Sequence, residues 1–267
     1  MSNIIIITDL DGTLLNRQTY LLRDAALALD LIEARNIPLI FCSSKTRAEQ
    51  EVYRKQLRID HPFIVEDGGA VFIEQDYFPF HFDYDKSVDN YRVIKLGMPY
   101  EKVRQALTEV ASATGLSLRG YGEMTVDEVS SITGLDREAA TQAMEREYQE
   151  TVVTELDKAE SSRLDKSLNE RGLTLSHGTR FFGVMGSHDK RKATRLLIDL
   201  YRRELGNVLS IGIGDSQNDL SMLSVVDQPV LVQKPDGTWE DLTIPNLQKA
   251  KGIGPVGWNR FVLEYLT

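Results

Sequence analysis

Ile4-Ile5-Ile6-Ile7-Thr8-Asp9-Leu10-Asp11-Gly12-Thr13 is the stretch on which the fold of this chain turns. Four consecutive isoleucines without polar alternation predict a strand covered on both faces, as in a parallel sheet flanked by helices. Two acids and a glycine follow at once. Residues two apart on an extended chain point the same way, so the carboxylates of Asp9 and Asp11 can face one site. In an open parallel sheet, ligands gather beyond the carboxyl ends of the strands. Aspartate and glycine are also ordinary turn residues, so these five residues alone read equally well as a polar turn.

The neighbouring sequence repeats the style. A helix is predicted over residues 23–35, with Ala26, Leu27, Leu31 and Ala34 at helical spacing. Pro38-Leu39-Ile40-Phe41-Cys42 is a second buried strand, residues 46–57 a charged amphipathic helix, and Phe63-Ile64-Val65 a third strand. The last third resumes the pattern, with a helix over 190–205 ending at Gly206, a strand over 208–213, a helix over 219–226 and a strand over 229–232. Such alternation predicts an α/β, Rossmann-like parallel-sheet core with helices on both faces. Between residues 82 and 187 helices dominate. Thr125 to Glu128 has capping-box spacing, and Asp136 can cap a helix running to about Glu150. This region reads as an inserted α+β cap domain, leaving 1–81 and 188–267 as the core.

Composition narrows the possibilities. The 267 residues are 42% hydrophobic and 27% charged, ordinary values for a globular chain. The apolar run at residues 4–7 is too short for a signal peptide or a spanning helix, which needs about 20 apolar residues. A single cysteine, Cys42, rules out an internal disulfide and fits a reducing cytoplasm. The formal net charge of −9 argues against nucleic acid or an anionic membrane as partner. An anionic substrate would therefore need a locally basic site.

A second acidic cluster, Gly214-Asp215-Ser216-Gln217-Asn218-Asp219, ends the strand over 208–213. Alone it could be a helix cap with loop glycines. Two acidic clusters at two strand ends favour a hard divalent cation, because close, desolvated carboxylates otherwise repel. Asp9, Asp11 and Asp215 are the candidate ligands of Mg²⁺, with Asn218 and Asp219 supporting them. Asp9 is the candidate nucleophile and Asp11 the candidate proton donor. Ser43, directly after the second strand, can donate to a phosphoryl oxygen. Ser44 opens the following helix, whose N-terminus favours anions. Lys190, in the first turn of its helix, can neutralise charge beside Asp9. Lys192 would point to another side.

In the order Asp9-x-Asp11-Gly12-Thr13, Ser43, Lys190, Gly214-Asp215-x-x-Asn218-Asp219, these pieces resemble the haloacid dehalogenase-like hydrolase superfamily. The resemblance implies an aspartyl-phosphate intermediate, Mg²⁺ with the Asp11 backbone carbonyl as a further ligand, and a type 2 cap over the substrate. Cys42 to Glu49, Ile132-Thr133-Gly134-Leu135, Thr179-Arg180-Phe181-Phe182 and Gly254-Pro255-Val256-Gly257-Trp258-Asn259 are similar to mannosyl-3-phosphoglycerate phosphatases. That likeness implies a phosphorylated sugar–glycerate substrate, with Lys45 and Arg180 meeting its carboxylate. Another sugar phosphate, the glucosyl analogue included, or a non-catalytic sugar-phosphate sensor stays open as an alternative. Two positions depart from the pattern. Asp67 stands where relatives usually carry Asn, and Gly183 where members often show His.

Overall fold

The computed structural model describes residues 3–177 and 181–267. The isoleucine run forms β1 (Asn3–Thr8), inside a five-stranded parallel sheet. Its partners are β2 (Leu39–Phe41), β10 (Val208–Gly214), β11 (Gln228–Gln233) and β12 (Gln248–Ile253), in the order β12-β11-β10-β1-β2. The run is apolar throughout because each face is roofed. Ile6 packs with α1 (Ala26–Ala34) and α9 (Pro255–Leu266), whereas Ile5 and Ile7 pack with α7 (Lys190–Leu205) and α8 (Leu220–Leu223). Burying each side chain is worth roughly 1.5–3 kcal/mol, so β1 anchors both layers.

Several expected elements change at their ends or faces. The first helix begins as a 3-10 turn, Arg23–Ala25, and buries Ala28 and Ile32. Leu27, expected on the buried stripe, is 67% exposed. The stripe that fits the core is Leu22, Ala25, Ala28 and Ile32, one step round the helix. The helix expected over 219–226 is a 3-10 turn, Gln217–Asp219, followed by the single turn of α8. Between them, α2 (Arg47–Leu57) starts as its sequence demands: Thr46 and Glu49 form a reciprocal capping box.

Beyond β2 the sheet passes by a bridge between Cys42 and Ile64 into an antiparallel sheet. It comprises β3 (Phe63–Val65), β4 (Ala70–Glu74), β5 (Lys86–Val88) and β6 (Tyr91–Lys95), in the order β3-β4-β6-β5. Residues 86–95 therefore hydrogen-bond onto the flank of the core, although they fall in the stretch read as the insertion.

The remainder of that stretch forms a third, antiparallel sheet of β7 (Gln149–Val152), β8 (Leu173–His177) and β9 (Phe182–Gly186), ordered β7-β9-β8. α3 (Tyr100–Thr114) and α6 (Lys158–Asn169) cover it through Val103, Leu107, Val110, Leu164 and Leu168. α4 (Val126–Thr133) and α5 (Arg137–Met144) share a small core of their own around Val129 and Ala140. The Thr125 capping box and the Asp136 cap are both present. α5 stops at Met144 rather than near Glu150, because the amides of Glu147, Tyr148 and Gln149 turn to the Glu66 carboxylate. Among the described residues no helix is long and apolar enough to cross a membrane.

Candidate active site

Because β1 and β10 are adjacent and parallel, their carboxyl ends lie side by side. The amide of Asp9 donates to Ile213 at 2.9 Å, carrying the ladder to the strand end. Gly12 then turns the chain away at φ +85°. A Cβ there would lie 2.8 Å from Asp215 Oδ2, so only glycine admits the approach of the two acidic loops. Behind them, Trp258 Nε1 donates to Thr8 Oγ1 at 3.1 Å and Asn259 Oδ1 accepts from the Ala28 amide at 2.9 Å. The Gly254-to-Asn259 segment thus braces β1 and α1, and Gly254 abuts the Gly12 carbonyl.

Asp9, Asp215 and Asp219 are all buried and offer carboxylate oxygens within 4.8 Å of one another. Lys190, 1% exposed, places Nζ 2.8 Å from Asp9 Oδ1 and 2.8 Å from Asp219 Oδ1. The other Asp219 oxygen accepts the amides of Asp215 (3.0 Å) and Ser216 (3.2 Å), which fixes the loop after β10. Asp219 thus joins Lys190 to the loop after β10. Thr13 Oγ1 lies 3.4 Å from Asp215 Oδ1, and Arg17 approaches Asp215 Oδ2 at 3.7 Å.

Charge is unbalanced here. Burial raises the Asp9 carboxyl well above its ordinary value, Lys190 opposes this, and Asp219 and Asp215 add to it. Burial and Asp219 push Asp215 up to about 7, against Arg17 and Lys190. Burial alone would lower the Lys190 ammonium, but Asp219, Asp9 and Asp67 around it hold it well above its usual range. Asp215 Oδ2 is buried with no hydrogen-bond partner among the described residues. A cluster of buried carboxylates with an unsatisfied oxygen fits a hard, oxygen-seeking divalent cation.

Asp11 lies at the edge of this cluster. Its Oδ2 is 3.0 Å from Lys45 Nζ, while its buried Oδ1 has no hydrogen-bond partner among the described residues. Lys45, expected at the substrate carboxylate, is itself buried and also pairs with Glu49 at 3.2 Å. Ser43 is fully buried behind the Asp11 loop, and its Oγ accepts the Lys45 amide at 3.3 Å. Ser44 lines a cavity of about 550 Å³ together with Asp11, Asp67 and Asn218. Its carbonyl accepts a 2.8 Å hydrogen bond from Arg146. Asn218 donates to Asp67 Oδ1 at 2.7 Å. Arg180 lies outside the described residues.

Residues from the inserted segment complete the cavity wall, notably Arg146, Gln149, Ser176 and Phe182. Arg146 Nε donates to Ala143, its guanidinium lies over the Tyr121 ring, and no carboxylate lies within ion-pair distance of it among the described residues. Its sequence neighbourhood, Met144-Glu145-Arg146-Glu147, looks like a solvated charge run, and no local pattern distinguishes it. Asp67 was legible only as an oddity of the Val65-Glu66-Asp67-Gly68-Gly69 turn.

A parallel core, an antiparallel insertion and a lysine-bridged acidic cluster at two strand ends define the class of protein. Residues 6–235 match the haloacid dehalogenase-like hydrolase family, and the chain belongs to it. Over 263 residues it is 43% identical to the glucosyl-3-phosphoglycerate/mannosyl-3-phosphoglycerate phosphatase of Methanococcoides burtonii, spanning 98% of this chain and 97% of that one. It is 41% identical to the mannosyl-3-phosphoglycerate phosphatase of Pyrococcus horikoshii over 85% of this chain and 90% of the relative. Among solved structures, a Thermoplasma acidophilum protein superposes with a TM-score of 0.71 at 16% identity, covering 100% of this chain and 99% of the other.

Proposed function

We propose that this chain is a Mg²⁺-dependent phosphatase that releases phosphate from mannosyl-3-phosphoglycerate, and from its glucosyl analogue, through an aspartyl-phosphate on Asp9. Two relatives with names covering both sugars match 98% of this chain. The observation that carries the chemistry is the buried Asp9–Lys190–Asp219 bridge beside Asp215. Lys190 holds one Asp9 oxygen at 2.8 Å and leaves the carboxylate as nucleophile for phosphorus. Attack forms the Asp9–phosphorus bond as the bond to the leaving alkoxide breaks. Asp11, whose Oδ2 lies 3.0 Å from Lys45 Nζ, gives that alkoxide its proton. Water then cleaves the acyl phosphate, with Asp11 taking the proton back.

Asp9, the Asp11 backbone and Asp215 would hold Mg²⁺, which when bound neutralises carboxylate and phosphate charge. Asp219 and Asn218 set the loop and the surrounding polar groups. Ser43 and Ser44, which precede the Thr46 cap of α2, supply phosphate donors. Arg146 faces the glycerate carboxylate, a role supported by its place in the cavity wall and by its neutral hydrogen-bond partners among the described residues. Arg180 and Lys45 have the same assignment by resemblance, although Lys45 is engaged by Asp11 and Glu49. The cap comprises the part of 82–187 that follows β6, and the enzyme works in the cytoplasm without nucleic acid or membrane.

Phosphate release from mannosyl- and glucosyl-3-phosphoglycerate, hexose phosphates and p-nitrophenyl phosphate, with and without Mg²⁺, tests the assignment. The glycosylglycerate esters should be preferred and Asp9→Asn inactive. Substantial turnover by Asp9→Asn would refute the covalent route, and a preference for plain hexose phosphates would refute the substrate.

A further inference from the structure

Asp67 and Gly183 meet on one side chain, that of Gln149. Gln149 Nε2 donates to Asp67 Oδ2 at 3.2 Å, and a Cβ on Gly183 would lie 2.1 Å from that same nitrogen. The amide cannot take this position beside any residue at 183 larger than glycine without moving. Its other end accepts from Arg146 at 3.4 Å, so a polar chain runs from the cavity wall to Asp67. Asp67 also accepts from Ser176 on β8 at 3.3 Å and from Asn218 on the core at 2.7 Å.

Glu66 makes the matching contact with the backbone. Its carboxylate accepts the amides of Glu147 (2.9 Å), Tyr148 (2.9 Å) and Gln149 (2.8 Å). Both residues are buried, and both hold left-handed backbone, at φ 46° and 57°. Two consecutive non-glycine residues in that region are strained, and the surroundings must enforce it. Here the enforcing contacts are with the catalytic loops. The Asp67 amide donates to Ser43, the Glu66 amide to Lys45, and His188 Nε2 to the Glu66 carbonyl.

We infer that Glu66 and Asp67 are positioning residues that dock the cap's cavity wall on the core, and that Gly183 is the vacancy through which Gln149 reaches them. Asp67 Oδ1 also lies 3.8 Å from Lys190 Nζ. Glu66 and Asp67 hold Gln149, Ser176 and, through Gln149, Arg146 in the cavity wall. The inference rests on the proposed function for its catalytic consequence, but the docking itself does not.

Amide hydrogen exchange by NMR tests the docking without reference to activity. Glu66→Gln keeps the volume of the side chain but replaces one accepting oxygen with an NH2 group, which cannot accept from an amide. Exchange at residues 147–149 should quicken by about tenfold or more while β1 is unchanged. Unaltered exchange at those amides overturns the docking role, even if the enzyme proves to act on another substrate. The same variant should lose about tenfold in kcat/KM on the glycosylglycerate ester and little on p-nitrophenyl phosphate. Equal losses on both would reduce Glu66 to general stability.

Gly183→Ala and Gln149→Ala, alone and together, test the vacancy. Each should lower kcat/KM on the glycosylglycerate ester by about tenfold, with the double variant no worse than either single one. Losses that multiply in the double variant overturn the claim that Gly183 acts through Gln149.

Discussion

Lys190 Nζ lies 2.8 Å from both Asp9 and Asp219, so a single ammonium answers a cluster of buried acids. The remaining negative charge has a measurable consequence. In the cation-free protein Asp215 titrates near 7, against an ordinary value of 3.8, chiefly through burial and the neighbouring Asp219. A carboxyl with a raised folded pKa binds more protons folded than unfolded. Its contribution to stability is therefore complete below its unfolded pKa and is lost as pH rises towards about 7. With chelator present, the melting temperature should fall across that window, and the slope should flatten in Asp215→Asn. Added Mg²⁺ should stabilise more at about pH 8 than at about pH 5, since it competes with protons for the same oxygens. Identical slopes in wild type and Asp215→Asn would remove this carboxyl from the account.

Helix α1 shows how one element is decided by its neighbours. Ala26, Leu27, Leu31 and Ala34 form an acceptable apolar stripe, yet α9 and the sheet select the adjacent one, Ala28 and Ile32. Both stripes satisfy a 3.6-residue period, and periodicity alone cannot choose between overlapping faces. Ile32, 4% exposed, should cost about 2–5 kcal/mol as Ile32→Ala, against at most about 0.5 kcal/mol for Leu27→Ala. Urea unfolding of the two variants measures this, and comparable losses would mean the helix sits in the rotation first expected. Caps behave differently. Thr125 with Glu128 closes its box as read, and Thr46 with Glu49 closes another, because both partners lie within a single turn.

At the scale of the whole molecule, a chain of net charge −9 must gather cations where an anionic ester binds. Lys190 is taken up by Asp9 and Asp219, and Lys45 by Asp11 and Glu49. Arg146, brought from the insertion to the Ser44 carbonyl, is the cation left facing the cavity with only neutral partners within hydrogen-bond distance among the described residues. Arg146→Ala should cost the glycosylglycerate ester about tenfold to a hundredfold in kcat/KM, as expected for a charge-assisted contact of about 1.5–3 kcal/mol. The loss on p-nitrophenyl phosphate should be much smaller. Parallel losses would place the carboxylate elsewhere.

The sequence by itself determined the parallel core, the strand-end acids Asp9, Asp11 and Asp215, and the choice of Lys190 over Lys192. Strand burial, the two-residue alternation and the first turn of a helix are local geometry, written in adjacent residues. Only the tertiary structure decided that Asp219 shares Lys190 with Asp9, that Lys45 clasps Asp11, and that residues 86–95 pair with the core flank. It alone brought Glu66 to the amides at 147–149 and Asp67 to Gln149 and Ser176. Those partners lie more than 80 residues apart in the chain, and their meeting depends on how two separately cored layers stack, which no local pattern of side chains encodes.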